Sequence, residues 1–232
     1  MKVMGIVNAT PDSFSDGGEC LRTDDAVRRA FRHAADGADI VDIGGESTRP
    51  GAVPVSWDTE WGRIAPILDG IHGIGCAVSV DTYHPETAER ALKAGAGIVN
   101  CVYPETVPAM IDVISRTSPN AELVVPASCL DICRAAGMMD RTYLDPMIGF
   151  GTTREEDLAL LHSVGVLAEK GRVLVGASRK RIVRALSKEN DTGALLGADI
   201  AVALWSASHG ASVVRVHDVK PVAQALRVYF ML

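Results

Sequence analysis

Short apolar runs rich in Val and Ile alternate along this chain with segments whose apolar residues recur every three to four positions. Strands are predicted at residues 3–7, 40–43, 77–80, 98–102, 123–126, 142–144, 173–176 and 213–216. Between them, Val27, Ala30, Phe31 and Ala34 fall on the i, i+3, i+4, i+7 stripe of an amphipathic helix. Thr23, Asp24 and Asp25 offer that helix an N-cap and an acidic first turn. The same spacing returns at Ile200, Ala203, Leu204 and Ala207, and again at Val222, Ala225, Leu226 and Tyr229. Gly37, Gly95, Gly171 and Gly210 stand where helices should stop, just ahead of the next strand.

The pattern makes eight strand-then-helix units with no linker or low-complexity stretch between them. Strands that read as continuous apolar runs are buried on both faces, as parallel strands beneath helices must be. Closing eight such units predicts an α/β fold, a (β/α)8 TIM barrel, with an open doubly wound sheet as the alternative. The fifth βα unit is expected to be abbreviated, because the stretch between Pro126 and Thr142 leaves room only for a short helix near 130–136.

Composition narrows this further. The 232 residues suit one barrel, which runs to roughly 200–250 residues. Hydrophobic residues make up 47% and aromatic residues only 5%, so the core must be aliphatic, which favours layered α/β packing. A net charge of −6 argues against a nucleic-acid binder, and an anionic ligand would need locally placed cations. No stretch approaches the roughly 20 apolar residues that span a bilayer, so no membrane partner is expected. The five cysteines are odd in number and scattered, which reads as core thiols and a cytoplasmic setting rather than a disulfide framework.

The informative signal lies just past each strand. The exits carry Asn8, then 44–49 (GGESTR), Asp81, Asn100, Asp145, 178–180 (SRK) and 215–218 (RVHD). In barrels of this kind the active site is built at the carboxyl ends of the strands. Any one of these residues could simply cap a helix or close a turn, but so many converging on one rim call for a ligand. Asp81, Asn100 and Asp145 offer acceptors suited to a flat heterocycle with amino and ring N–H groups, and Lys180 is a cation that could accompany buried carboxylates. Arg49, Arg215 and His217 offer donors for an anion, at positions where this architecture commonly binds phosphate. The loops 8–18 and 44–52 are long and rich in Gly, Pro and Ser, which fits lids better than packing.

Residues 8–18 (NATPDSFSDGG) and 42–52 (DIGGESTRPGA) closely resemble the two signature loops of the dihydropteroate synthases. Residues 79–82 (SVDT), 145–146 (DP) with 148–151 (IGFG), 176 with 178–180, and 215–219 (RVHDV) continue the likeness in order over essentially the whole chain. The resemblance implies one pterin-binding barrel domain over 1–232. It implies joining of 6-hydroxymethyl-7,8-dihydropterin diphosphate to 4-aminobenzoate, giving 7,8-dihydropteroate and diphosphate. By the same likeness Asp81, Asn100, Asp145 and Lys180 would hold the pterin, with Arg215 stacked on its ring. Asn8, Arg49 and His217 would hold the diphosphate, Asn8 also ligating Mg2+, the implied cofactor. Phe14, Thr48, Pro50 and Phe150 would border the aminobenzoate pocket. Arg49, Lys180 and His217 would carry the catalysis, and the implied assembly is a homodimer formed through the later helices.

The chain departs from the family at Cys101, where Asp is usual, in 126–129 (PASC), where a Met-His segment is common, at Met147 for Gly, and at Arg181 for Ser. These changes touch the second substrate more than the pterin groups. They leave a second reading, a pterin-binding homologue with lost or altered second-substrate activity.

Overall fold

Eight parallel strands close into a barrel in sequence order, as the periodicity predicts. The computed structural model describes residues 1–9, 19–47 and 52–232, and only the backbone of 19–22. In chain order these are β1 (Lys2–Asn8), α1 (Glu19–Ala35), β2 (Ile40–Gly44), α2 (Trp57–Gly70), β3 (Ala77–Asp81), α3 (Pro85–Lys93), β4 (Ile98–Asn100), α4 (Val107–Thr117), β5 (Glu122–Pro126) and α5 (Leu130–Ala135). The chain continues through β6 (Thr142–Asp145), α6 (Arg154–His162), α7 (Val164–Ala168), β7 (Arg172–Val175), α8 (Arg181–Ser187), α9 (Leu196–Ser208), β8 (Val213–Val216) and α10 (Val219–Met231).

Two kinds of core result. Met4, Ile40, Ile98, Val124, Tyr143, Leu174 and Val213 pack together as one cluster contributed by seven strands, the apolar filling of the barrel's interior. Three larger clusters of Val, Ile, Leu and Ala pack helices against strands. The lower end is closed by Tyr143, whose hydroxyl donates to Glu122 at 3.2 Å while the Arg172 guanidinium lies 4.1 Å above its ring. With one end filled, the register decides the other. It aligns Asn8 with Gly44, Gly44 with Asp81 and Asp81 with Asn100, and it sets Pro126 beside Asp145. Polar residues at strand exits therefore share a level on one rim.

The fifth unit is abbreviated as expected, α5 being six residues long. Other expectations are corrected. Helix α1 begins at Glu19, a turn before Thr23, so Thr23, Asp24 and Asp25 lie within it and do not cap it. Its buried face is Ala26, Ala30 and His33, and Phe31 is 43% exposed. Strand β4 ends at Asn100 rather than at 102, because Cys101 turns its thiol to Tyr103 O and Thr106 Oγ1, at 3.5 and 3.2 Å. Two helices, α8 and α9, lie between β7 and β8 where the periodicity predicts a single stripe. Gly37, Gly95 and Gly210 take φ of 100°, 101° and 83°, the left-handed conformation in which glycine ends a helix without strain.

Candidate active site

The rim is organised around a buried ion network. Asp42, on β2, is fully buried, and its Oδ2 accepts from Arg215 Nε at 2.6 Å and from Asn100 Nδ2 at 3.1 Å. Arg215, on β8, spans to a second carboxylate, donating Nη2 to Asp81 Oδ2 at 2.8 Å. One guanidinium thus ties together strands two, three and eight, while Asn100 ties in strand four. A carboxylate inside a barrel wall is tolerable only with such partners. The network leaves Asp42 Oδ1, Asp81 Oδ1 and Asn100 Oδ1 buried without a hydrogen bond. Each unpaired buried acceptor costs about 1–3 kcal/mol, which a ligand bearing N–H groups would recover.

Asp145 completes the acceptor set. It is buried at the end of β6, and its Oδ1 accepts from Met147 N at 2.7 Å. Met147 takes a φ of 65°, so the left-handed turn that glycine would make freely is here imposed on a methionine. Burial raises the carboxyls of both Asp81 and Asp145. Asp81 reaches about 7, because desolvation and its carboxylate neighbours Asp42, Glu60 and Asp145 outweigh Arg215. Arg215 stays charged: burial opposes its charge, but Asp42 and Asp81 more than compensate.

Lys180 lies under the β6–α6 loop. Its ammonium donates to Ile148 O at 2.6 Å and sits 4.4 Å from the centre of the Phe150 ring. Gly149 makes the space, since a Cβ there would lie 2.9 Å from Lys180 Cδ. Burial pulls the ammonium down to about 8, against the opposing charge of Asp145 and with the repulsion of Arg215. Arg181 points away from this group. Its guanidinium donates to Asp157 Oδ2 at 2.9 Å and to the Thr152 carbonyl, so it fastens α8 to the same loop.

The second half of the rim is basic. A cavity of about 600 Å³ is lined by Arg28, Arg29 and Arg32 of α1 with Arg179 and His217 from the exits of β7 and β8 and Lys220 from the start of α10. Asp25, Asp36 and Asp218 also line it, and Arg179 is held by Asp218 through two contacts of 2.8 and 3.1 Å. His217 Nδ1 lies 3.1 Å from Ser178 Oγ. Asn8 stands at the end of β1, where a Cβ on Gly44 would be 3.9 Å from its Oδ1 and from Asp81 Oδ2, so the bare glycine keeps a gap beside both.

The structure therefore brings together Asp81, Asn100, Asp145, Lys180 and Arg215, with His217 and Asn8 at the same end. Arg215, a candidate anion donor by position and a ring-stacking residue by resemblance, lies within β8 with its guanidinium on Asp42 and Asp81. Phe150 borders Lys180. Phe14, Thr48, Arg49 and Pro50 lie outside the described residues. Sequence reading includes Asp42 in the signature segment 42–52 but gives it no role; its further signal is a charge inside an otherwise apolar strand.

The chain matches the Pterin binding enzyme family over residues 4–131 and 123–217. It is 36% identical to the dihydropteroate synthase of Neisseria meningitidis serogroup C over 98% of this chain and 91% of the relative. With that of Bacillus subtilis (strain 168) the identity is 37%, over 97% and 86%. The chain belongs to the dihydropteroate synthase family. The solved dihydropteroate synthase of Xanthomonas albilineans with 4-aminobenzoic acid superposes with a TM-score of 0.92 at 34% identity, covering 99% of this chain and 92% of that one. The Burkholderia cenocepacia dihydropteroate synthase complexed with 7,8-dihydropteroate gives 0.84 at 33% identity, covering 99% and 90%. The barrel of this chain is thus the barrel of these solved structures.

Proposed function

We propose that this chain makes 7,8-dihydropteroate, joining 6-hydroxymethyl-7,8-dihydropterin diphosphate to 4-aminobenzoate with release of diphosphate. One observation carries the reading. The Asp42–Arg215–Asp81 network leaves an oxygen acceptor without a hydrogen bond on each of three neighbouring strands, with Asp145 beyond them. That is the complement of a heterocycle edge made of an amino group and ring N–H groups.

The chemistry is dictated by charge. As the CH2–O bond to diphosphate breaks, positive charge spreads into the reduced ring and negative charge gathers on the departing group. Asp81 and Asp145 would face the former, and Arg215 would stack on the ring held by them. Lys180, fixed on the Ile148 carbonyl, would hold the oxygenated edge of the same ring. His217, with Arg49, would receive the diphosphate in the basic half. The amine of 4-aminobenzoate then attacks the exocyclic carbon and loses a proton to solvent; by the family likeness Phe14, Thr48, Pro50 and Phe150 would border its pocket. No enzyme nucleophile is required.

The donor set also fits Mg2+. Among the described residues no three His, Cys, Asp or Glu side chains gather as a metal site. Asn8, beside the gap at Gly44, supplies a single amide oxygen, and Mg2+ is an ion that takes most of its ligands from phosphate oxygens and water. When bound, it would neutralise charge growing on the diphosphate.

A homodimer belongs to the same reading, supported by exposed Val166, Leu186 and Leu196 on the later helices α7, α8 and α9. Free thiols at Cys76, Cys101, Cys129 and Cys133 support a reducing, cytoplasmic setting. The deciding experiment supplies purified protein with Mg2+, the pterin diphosphate and radiolabelled 4-aminobenzoate. Labelled dihydropteroate is the expected product. Pterin binding without that product would instead identify a binding homologue.

A further inference from the structure

Asp199 is a buried carboxylate that the reaction as derived leaves unused. It sits in the first turn of α9, 4% exposed, behind the β7–α8 turn. Its Oδ2 accepts the Ser178 hydroxyl at 2.9 Å and its Oδ1 accepts the Arg179 N–H at 3.0 Å. Arg179 has a φ of 59°, so the carboxylate also braces a left-handed turn. Burial raises the Asp199 carboxyl, while the Arg179 N–H and the Ser178 hydroxyl oppose that rise. The neighbouring Asp218 is already matched by the Arg179 guanidinium, so Asp199 is the carboxylate whose charge reaches toward Ser178.

The proton count at Ser178 is decisive. Its Oγ accepts the backbone N–H of His217 at 3.4 Å and lies 3.1 Å from the ring Nδ1 of the same residue. A hydroxyl has one proton, and an ionised carboxylate only accepts. With Ser178 donating to Asp199, the contact to Nδ1 can be a hydrogen bond only if Nδ1 carries the proton. We propose that Asp199, acting through Ser178, is a positioning residue that keeps the proton of the neutral His217 ring on Nδ1, so that Nε2 is the nitrogen that takes up a second proton from solvent and donates it, as part of an imidazolium, to the diphosphate. The relay resembles in logic any carboxylate that orients a histidine, with a hydroxyl inserted between them. It rests on the reading that His217 meets the diphosphate.

The test uses Asp199→Asn in the full chain. The asparagine can keep Oδ1 on the Arg179 N–H and turn Nδ2 toward Ser178. Ser178 then gives its proton to His217 Nδ1, and the neutral ring moves its own proton to Nε2. The 15N resonances of His217, recorded where the ring is neutral, should show Nδ1–H in the native protein and Nε2–H in the variant. With Mg2+ and pterin diphosphate, kcat should fall about tenfold, the scale on which losing a histidine's orienting partner acts. The KM for 4-aminobenzoate should not move. Ser178→Ala should lower kcat as much, and adding Asp199→Asn to it should cost nothing more in kcat. An Nε2–H ring in the native protein, an unchanged tautomer in Asp199→Asn, or variants that lose thermal stability with kcat intact would each overturn the relay. A native protein that makes no dihydropteroate would count against the functional reading instead, since the tautomer is read without turnover.

Discussion

Asn100 donates an amide hydrogen to Asp42 over 3.1 Å, reaching from β4 to β2 past the intervening strand. That bond settles which way the amide faces. Its nitrogen is engaged in the wall, and its oxygen is left for a ligand. Asp42 therefore shapes the site without lying at a strand exit.

Removing that carboxylate should damage both fold and binding. Asp42→Ala strands Arg215 on one partner and frees the Asn100 amide, and breaking a buried ion pair typically costs about 3–5 kcal/mol. Chemical denaturation should show a loss on that scale. Titration with the pterin should show at least a tenfold weaker complex, because Asn100 can then turn a donor toward the ligand's own donors. Native affinity in Asp42→Ala would remove the residue from the site's architecture.

Two titrations bracket pterin binding. Asp81 accepts best when ionised, above about 7, and Lys180 stays charged below about 8. Affinity for the pterin alcohol, which carries no diphosphate to titrate, should rise as pH passes 7 and fall as it passes 8. Asp81→Asn should abolish the acid limb and Lys180→Arg should move the alkaline limb upward. Stability runs the other way in the unliganded protein. The folded Asp81 pKa, about 7, lies above its ordinary 3.8, so the folded state binds more protons between those values. Melting temperature should thus decline on this account as pH rises through that window, and Asp81→Asn should flatten the slope.

Gly149→Ala should disturb Lys180 through space and backbone together. The added methyl would meet Lys180 Cδ at 2.9 Å, and the φ of 81° costs an alanine about 1–2 kcal/mol. Calorimetry should record that loss, with weaker pterin binding. The 4-aminobenzoate KM should change less than the pterin KM.

Chelation separates the two halves of the rim. EDTA should suppress turnover of the pterin diphosphate while leaving the affinity for the pterin alcohol intact. Asn8→Ala should raise the Mg2+ concentration needed for half-maximal rate. Equal effects of EDTA on both ligands would place the ion elsewhere.

The barrel and its rim are legible in the sequence because they are periodic. Parallel strands announce themselves as apolar runs, and their register carries Asn8, Gly44, Asp81 and Asn100 to one level. Asp42 and Asp199 are not legible in the same way. Each lies inside an apolar element, and only the tertiary packing reveals that Arg215 and Ser178 reach them. The start of α1 escapes for the opposite reason. Thr23, Asp24 and Asp25 carry good cap chemistry, yet the helix runs through them from Glu19, local propensity yielding to the longer element.

The short α5 has a consequence for how the shell opens. Only the six-residue α5 joins β5 to β6, and Cys129, Cys133 and Met138 pack in one cluster with Leu123, Val125 and Leu144 of those strands. Thioethers and thiols fill gaps by adapting their shape and define a packing less sharply than branched aliphatics do. Deuterium should therefore enter the amides of β5 and β6 sooner than those of β1 and β2, whose roof is the long helix α1. Breathing would begin beside Asp145, on the side of the cavity away from the cationic half.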